Sequence, residues 1–273
     1  MKKLMVVGMA AVFAAGFVSA QDDVVMVGQA PSVSGNGPVA TAELALVSAD
    51  VWRGMVRNED FVLQPQLSVA QYGVSFNIWA NWDISKNYLG VDNDLSELDL
   101  SLAYTLPVDL NDFSFDVGVI SYQFPANGTG ANGLGVNRNS TTELFASAYL
   151  LTIKDYVIPS VTLFGDVKEV DGLYAQFDVV APYQISEYLA VEAGVSTGWG
   201  SGSYNKAYFG AGGKGFVDYN FYSTVSYEFL DGLTGSLNLT YTGLYGGARK
   251  DNAKIRYESG EQFWGGVNIA YDF

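Results

Sequence analysis

The sequence has no cysteine and no histidine. Without cysteine there is no disulfide framework, no thiolate metal site and no thiol nucleophile. Without histidine the usual general base and the commonest metal ligand are gone, together with the Ser-His and Asp-His pairings on which hydrolases generally rely. Beyond the N-terminus no apolar run reaches the roughly 18 residues that a membrane-crossing helix needs. Positive charge is scarce, with 14 Lys and Arg against 29 Asp and Glu and a formal net charge of −15. So acidic a surface repels polyanions, and nucleic acid is excluded as a partner on that ground.

What is present begins with a targeting segment. Residues 1–20 carry Lys2 and Lys3, an apolar run over 4–18, and small residues at Val18, Ser19 and Ala20 before the polar Gln21-Asp22-Asp23. This layout predicts a cleaved secretory signal peptide and a mature chain starting at Gln21, with no cysteine to carry a lipid anchor. Removing the two leading lysines leaves 14 − 2 = 12 basic against 29 acidic residues. Residues 21–40, rich in Gly, Pro, Ser and Val without a sustained period, read as a flexible lead-in.

From 41 onward the period is two. Twelve segments have strand character: 41–52, 61–70, 74–84, 95–106, 113–124, 141–153, 157–167, 173–180, 189–197, 217–229, 234–245 and 263–273. The cleanest sets Val74, Phe76, Ile78, Ala80, Trp82 and Ile84 against Ser75, Asn77, Trp79, Asn81 and Asp83. The last sets Phe263, Val267, Ile269, Tyr271 and Phe273 against Trp264, Asn268, Ala270 and Asp272. An apolar face that closes on a terminal aromatic carboxylate resembles the signal read by the machinery that assembles outer-membrane barrels. The connections alternate: those at 71–73, 107–112, 154–156, 181–187 and 230–232 are short, while those at 53–60, 85–94, 125–140, 198–216 and 246–260 are long, 168–172 being the one compact member of the long set. Aromatics of the apolar parity sort by strand end, with Phe113, Phe115, Tyr227, Phe229, Tyr271 and Phe273 at one rim and Trp82, Tyr219, Tyr245 and Phe263 at the other. One greasy face, one wet face, two unequal rims and two aromatic girdles predict an all-β fold, an antiparallel up-and-down transmembrane barrel over 41–273. A soluble sandwich with Greek-key crossings has no reason to alternate its loops this way.

The wet parity carries the acids Asp83, Glu97, Asp99, Asp116, Glu143, Asp178, Glu192, Asp218 and Glu228. The basic residues, Arg57 among them, fall in loops and turns, except Arg53 at the end of the first strand, where its fork suits a bidentate meeting with a carboxylate. These ten are the expected pore-lining residues. A lumen lined by carboxylates carries a negative potential focused by low-dielectric walls, so passive diffusion of small solutes with a preference for cations is expected. Taken singly, each acid merely keeps the wall wet. Only the set points to selectivity. The inward aromatics Trp79, Phe145, Tyr149, Phe164, Tyr174, Tyr222 and Trp264 serve either as a stacking track for a sugar or as filling for a narrow barrel.

Other motifs fail on context. Gly210-Ala211-Gly212-Gly213-Lys214-Gly215 fits a dinucleotide expression but leads into a strand and opens no helix. Asp92-Asn93-Asp94 with Glu97 lacks the glycine and spacing of a calcium loop. Glu97 and Asp99, two apart on one face, are the only hint of a carboxylate pair for hydrolysis, and without histidine they carry little. No catalytic residue, metal site or cofactor is expected.

Ser48-Ala49-Asp50-Val51-Trp52-Arg53-Gly54, followed by Val62-Leu63-Gln64-Pro65 and Val74-Ser75-Phe76-Asn77-Ile78-Trp79, then by Ser96-Glu97-Leu98-Asp99-Leu100, Tyr122-Gln123-Phe124-Pro125 and Thr141-Thr142-Glu143-Leu144, resembles outer-membrane porins of the TorF type, a family of largely uncharacterised barrels. Trp52-Arg53-Gly54 is the most recognisable piece. The resemblance runs from about residue 41 to 273 and implies a barrel and a channel-like role, with no catalytic residues and no defined solute. The function expected is therefore a porin-like channel in the bacterial outer membrane, its partners being outer-membrane lipid, the assembly machinery and small solutes or cations. The alternative is a structural or adhesive barrel with a closed lumen.

Overall fold

A computed structural model describes residues 37–273 apart from 88, 89, 91, 109, 111 and 127–138. The expected signal peptide, the lead-in up to residue 36, and most of the 125–140 connection lie outside the described residues. Twelve strands close into one antiparallel ring: β1 (Val39–Val47), β4 (Val62–Gln71), β5 (Val74–Asp83), β6 (Asp94–Thr105), β7 (Phe113–Gln123), β8 (Thr141–Leu150), β9 (Ile158–Asp166), β10 (Leu173–Gln184), β11 (Leu189–Gly200), β12 (Gly215–Leu230), β13 (Leu233–Leu244) and β14 (Glu261–Asp272). Each pairs with its sequence neighbour, and β1 closes the ring on β14 with Thr41 opposite Asp272 and Val47 opposite Gly266.

The wall inverts the pattern of a soluble protein. Leu67, Leu102, Leu237 and Val267 are about half exposed, while Gln64, Asn77, Asn81, Asn220, Asn238 and Asn268, on the opposite parity, are buried. Apolar side chains turned outward and amides turned inward suit a barrel solvated by lipid and hydrated within. Closure satisfies every strand's backbone laterally, which a sheet with free edges cannot do in hydrocarbon. Among the described residues no helix is long and apolar enough to cross a membrane.

The two rims differ as the loop alternation predicts. β4 and β5 are joined by Tyr72 and Gly73 alone, both at positive φ (53° and 79°), the geometry of a tight primed hairpin turn. The long-loop rim instead carries three folded pieces: a hairpin of β2 (Asp50–Trp52) and β3 (Met55–Asn58), then α1 (Gly202–Phe209) and α2 (Ala248–Arg256). Ser201 starts α1 by accepting from the Tyr204 N–H, and Gly210 ends it in the left-handed conformation at φ 64°.

Three sequence expectations are corrected here. The first barrel strand ends at Val47, not Trp52, because Asp50–Trp52 pairs with Met55–Asn58 rather than with the wall. The barrel begins at Val39, inside the expected lead-in. The connections at 198–216 and 246–260 hold α1 and α2 rather than plain loop, although the Gly210 to Gly215 run still opens no helix and leads into β12.

Parity sets a test. Leu239→Arg, on the lipid face midway along β13, is expected to destabilise the folded barrel by about 2–4 kcal/mol, whereas a polar exchange at the adjacent inward position, Asn238→Ser, costs under about 1 kcal/mol. Urea titration of folding into lipid vesicles measures both.

Candidate functional site

The hairpin β2–β3 is the centre of the interior. All of its strand residues are buried, and its two-residue turn is Arg53-Gly54, both at positive φ (47° and 81°). Gly54 is required there: a Cβ would lie 2.5 Å from Leu244 Cδ2 and 2.7 Å from Asp218 Cβ, with a left-handed backbone besides. Arg53 adopts the left-handed conformation without being glycine, a strain that surrounding contacts must hold.

Those contacts are strong. Val51 and Val56 pack with Ala45, Val47, Ala49, Val62 and Trp264, seating the hairpin against the β1, β4 and β14 side of the ring. Its tip reaches the opposite side, β9 lying six places from β1 in the ring of twelve. There the Arg53 guanidinium meets Glu143 of β8 through two parallel bonds, Nη1 to Oε1 at 2.9 Å and Nη2 to Oε2 at 2.7 Å, and Tyr122 donates to the same carboxylate at 2.9 Å. The faces of Phe164, Tyr174 and Trp52 stand 4.3, 4.4 and 4.5 Å from its central carbon. A planar, weakly hydrated cation is the side chain suited to such a cage. Nearer the hairpin base, Arg57 bridges Asp50 at 2.9 Å and Glu97 at 2.6 Å, while Asn58 donates to Asp83 at 2.8 Å.

The two helices complete this layer. Tyr204 and Tyr208 of α1 continue the chain of rings, Tyr174 to Tyr204 at 5.1 Å, Tyr204 to Tyr208 at 4.7 Å and Tyr208 to Trp52 at 5.2 Å. Burial holds both phenols well above the ordinary tyrosine range, Arg53 pulling the other way, so they stay protonated. α2 lies on α1, with Asn252 donating to the Phe209 carbonyl and Arg256 to the Ala207 carbonyl. The lumen is thus packed at its long-loop end.

Toward the short turns it is more open. The inward residues Glu43, Ser75, Ser114, Glu192 and Glu228 are only partly buried. Every acid the sequence placed on the wet face has inward parity: Asp83, Glu97, Glu143 and Asp218 in the packed end, Asp99 and Asp178 at mid-height, and Asp116, Glu192 and Glu228 toward the short turns. Asp218 accepts from Tyr174 at 2.9 Å, the Tyr222 hydroxyl donates to Asp178 with its two oxygens at 2.8 and 2.9 Å, and Asp116 faces the Thr105 and Tyr149 hydroxyls.

Sequence reasoning missed four charged groups in this interior. Glu43 and Asp166 lie on inward positions of β1 and β9. Asp166 shares its parity with Thr162 and Phe164, which was the available signal. Asp50 and Arg57 were hidden because Arg-Gly is not an ordinary hairpin dipeptide, so 53–60 read as loop. Arg57 is therefore a correction: it is buried in the barrel and not in a solvated connection. The stacking-track reading also narrows, since Phe145, Phe164 and Tyr174 are covered by their neighbours, as are Trp79, Tyr149 and Trp264, leaving Tyr222 half-buried. Among the described residues no group of three or more acidic side chains is arranged to hold a metal ion.

Residues 32–232 match the Gcw_chp family, described as "Bacterial protein of unknown function (Gcw_chp)". No curated protein matches the sequence. Solved structures share the barrel at low identity. The KdgM porin in complex with disordered oligogalacturonate is similar at TM-score 0.50 and 10% identity, over 86% of this chain and 99% of that one. The COG4313 outer membrane channel from Pseudomonas putida F1 is similar at TM-score 0.50 and 10% identity, over 86% and 95%. LpxR from Salmonella typhimurium is similar at TM-score 0.52 and 11% identity, over 85% and 99%. At such identity the likeness establishes the fold.

Arg53→Ala leaves Glu143 buried without its cation and is expected to destabilise the barrel by about 3–5 kcal/mol. Arg53→Ala with Glu143→Ala is expected to lose clearly less than the two single losses summed, read from urea midpoints. Simple additivity would mean that the pair is uncoupled.

Proposed function

Because this chain belongs to the Gcw_chp family, bacterial proteins of unknown function, we propose its role from its own barrel: a porin-like outer-membrane channel that passes small solutes and prefers cations. The observation that carries this is the charge of the interior. The carboxylates of Glu43, Asp50, Asp83, Glu97, Asp99, Asp116, Glu143, Asp166, Asp178, Glu192, Asp218 and Glu228 face two guanidiniums, and both of those, Arg53 and Arg57, are engaged by acids. What is left is a negative field inside low-dielectric walls, strongest in effect where water enters at the short-turn end. A polyanionic sugar such as the oligogalacturonate named with the KdgM porin fits so acidic an interior poorly.

On this reading residues 1–20 are a signal peptide, 21–38 a lead-in and 39–273 the barrel, delivered to the outer membrane through its C-terminal strand. The likeness of the Trp52-Arg53-Gly54 region to TorF-type porins supports the same role. The interior serves no catalysis. Its acids are spread around the ring, and those at the hairpin are taken up by arginine, tyrosine and asparagine.

The packed long-loop end favours a second reading, a structural barrel with a closed lumen. Planar bilayers under a salt gradient separate the two. The channel reading expects a reversal potential of cation-selective sign, moved toward zero in Glu192→Gln/Glu228→Gln, and a larger conductance in Arg53→Ala/Glu143→Ala, where the hairpin tip is released. An anion-selective sign removes the cation preference, and a barrel sealed in both wild type and the released variant establishes the structural reading.

A further inference from the structure

Charge on the long-loop rim is unevenly placed. Lys206, Lys214, Arg249, Lys250, Lys254 and Arg256, six of the 14 Lys and Arg, lie in the two connections that hold α1 and α2. Over 201–214 and 245–261 they face only Asp251, Glu258 and Glu261, a local balance of 6 − 3 = +3 on a chain of net −15. The connections at 85–94, 125–140 and 168–172 each carry a single cation in the sequence, Lys86, Arg138 and Lys168.

The position of the charges decides their meaning. Arg249 donates to the carbonyl of Phe216 at 2.8 Å, and Phe216 points outward at the start of β12. Lys250 binds Glu261 at 2.7 Å on the outward parity of β14, with the Tyr219 and Tyr241 hydroxyls in its field. Lys254 is exposed one turn further along α2 and also acts on Glu261. Directly below is an outward aromatic cluster: Phe216 to Tyr245 at 5.8 Å, Tyr245 to Tyr219 at 5.2 Å, and Tyr219 to Tyr241 at 6.3 Å. Aromatic girdles sit at headgroup depth, so cations immediately above one, on the outer flank of the barrel, stand where lipid phosphates lie.

We propose that the rim formed by α2 and the long-loop ends of β12, β13 and β14 is a docking site for a phosphorylated outer-leaflet lipid headgroup, held by Arg249, Lys250 and Lys254. The acyl chains would lie along the aromatic cluster, whose rings give them apolar surface while the cations take the phosphates. The Lys250–Glu261 pair stays open to solvent, and Lys254 projects to solvent beside it. This rests on the membrane-barrel reading, with the long loops outside.

The test uses the mature protein refolded in detergent micelles and titrated with diphosphorylated lipid A or its dephosphorylated form, bound lipid being counted by native mass spectrometry. Wild type is expected to prefer the phosphorylated lipid by about tenfold or more, a preference that falls with added salt. Arg249→Gln/Lys250→Gln/Lys254→Gln is expected to lose it, while Lys86→Gln/Lys168→Gln keeps it. Should the triple variant fail the heat-shift test of barrel folding, Lys254→Gln alone, at an exposed helix position, is expected to lower the preference by about threefold. Equal binding of the two lipids, or a triple variant that still discriminates, overturns the proposal. So does competition by inorganic pyrophosphate at concentrations comparable to the lipid, which identifies a soluble anion as the occupant. A wild-type chain that does not fold as a heat-shiftable barrel would instead sink the membrane reading beneath it.

Discussion

In hydrocarbon no water reaches a strand's N–H and C=O groups, so a sheet that crosses a membrane must pair its last strand with its first. That constraint organises the whole chain. The β1 to β14 ladder, from Thr41 opposite Asp272 to Val47 opposite Gly266, removes both edges, and once the ring is shut each side chain has only two places to point. Leucine and valine go to lipid. Amides and acids go inside, where they must find water or one another. The same requirement explains why irregular backbone is confined to the rims and to the interior, the positions in which protein or water can satisfy it.

A ring of twelve strands encloses more room than its own polar side chains fill, and this chain uses part of it for the hairpin β2–β3. The hairpin and the wall depend on each other electrostatically. Glu143 beside Tyr122, Phe164 and Tyr174 would be a carboxylate in a nest of rings, and Arg53 alone would be a cation in the same nest. Together they form a bidentate pair whose desolvation is offset by two short bonds and three ring faces. Hydrophobic seating alone, Val51 and Val56 against Trp264 and Val62, would fix the hairpin's base and leave its tip free. The strained left-handed Arg53 is held because base, tip and Arg57 all demand the same placement.

Period-two parity makes most of the wall legible in the sequence itself. β5 and β14 carry so clean an alternation that their inward faces could be written down residue by residue. The unequal connections likewise gave the two rims. Where reading stopped, the reason is physical. In β9 both parities carry bulky residues, Val161 and Leu163 against Thr162 and Phe164, so a strand with aromatics facing a packed interior loses the contrast that reveals its phase. The hairpin was missed because its turn is Arg-Gly, made tolerable by a distant glutamate and three rings that no local window contains. For the same reason Arg57 looked like an ordinary loop cation. The helices α1 and α2 are short, and their packing on each other and on Trp52 through Tyr208 adds to what the Ser201 and Gly210 caps of α1 supply.

The interior therefore has two layers with different chemistry, and they suit different tasks. Toward the long loops, Arg53 and Arg57 pair with Glu143, Asp50 and Glu97, while neutral Tyr174 and Asn58 hold Asp218 and Asp83 without cancelling their charge, and the side chains of this layer fill space. Toward the short turns, Glu43, Glu192 and Glu228 are only partly buried, and among the described residues their layer holds no guanidinium. On the proposed channel reading, a solute moving along the axis would meet the more open acidic layer at one end and the packed layer at the other. On that reading the packed layer can tighten or loosen through residues 51–58 without altering Glu43, Glu192 and Glu228 in the more open layer. A constriction that also carried the selectivity charges would have to choose between desolvating them and staying wide, since a carboxylate stripped of water needs a partner and a partnered carboxylate no longer attracts a passing cation.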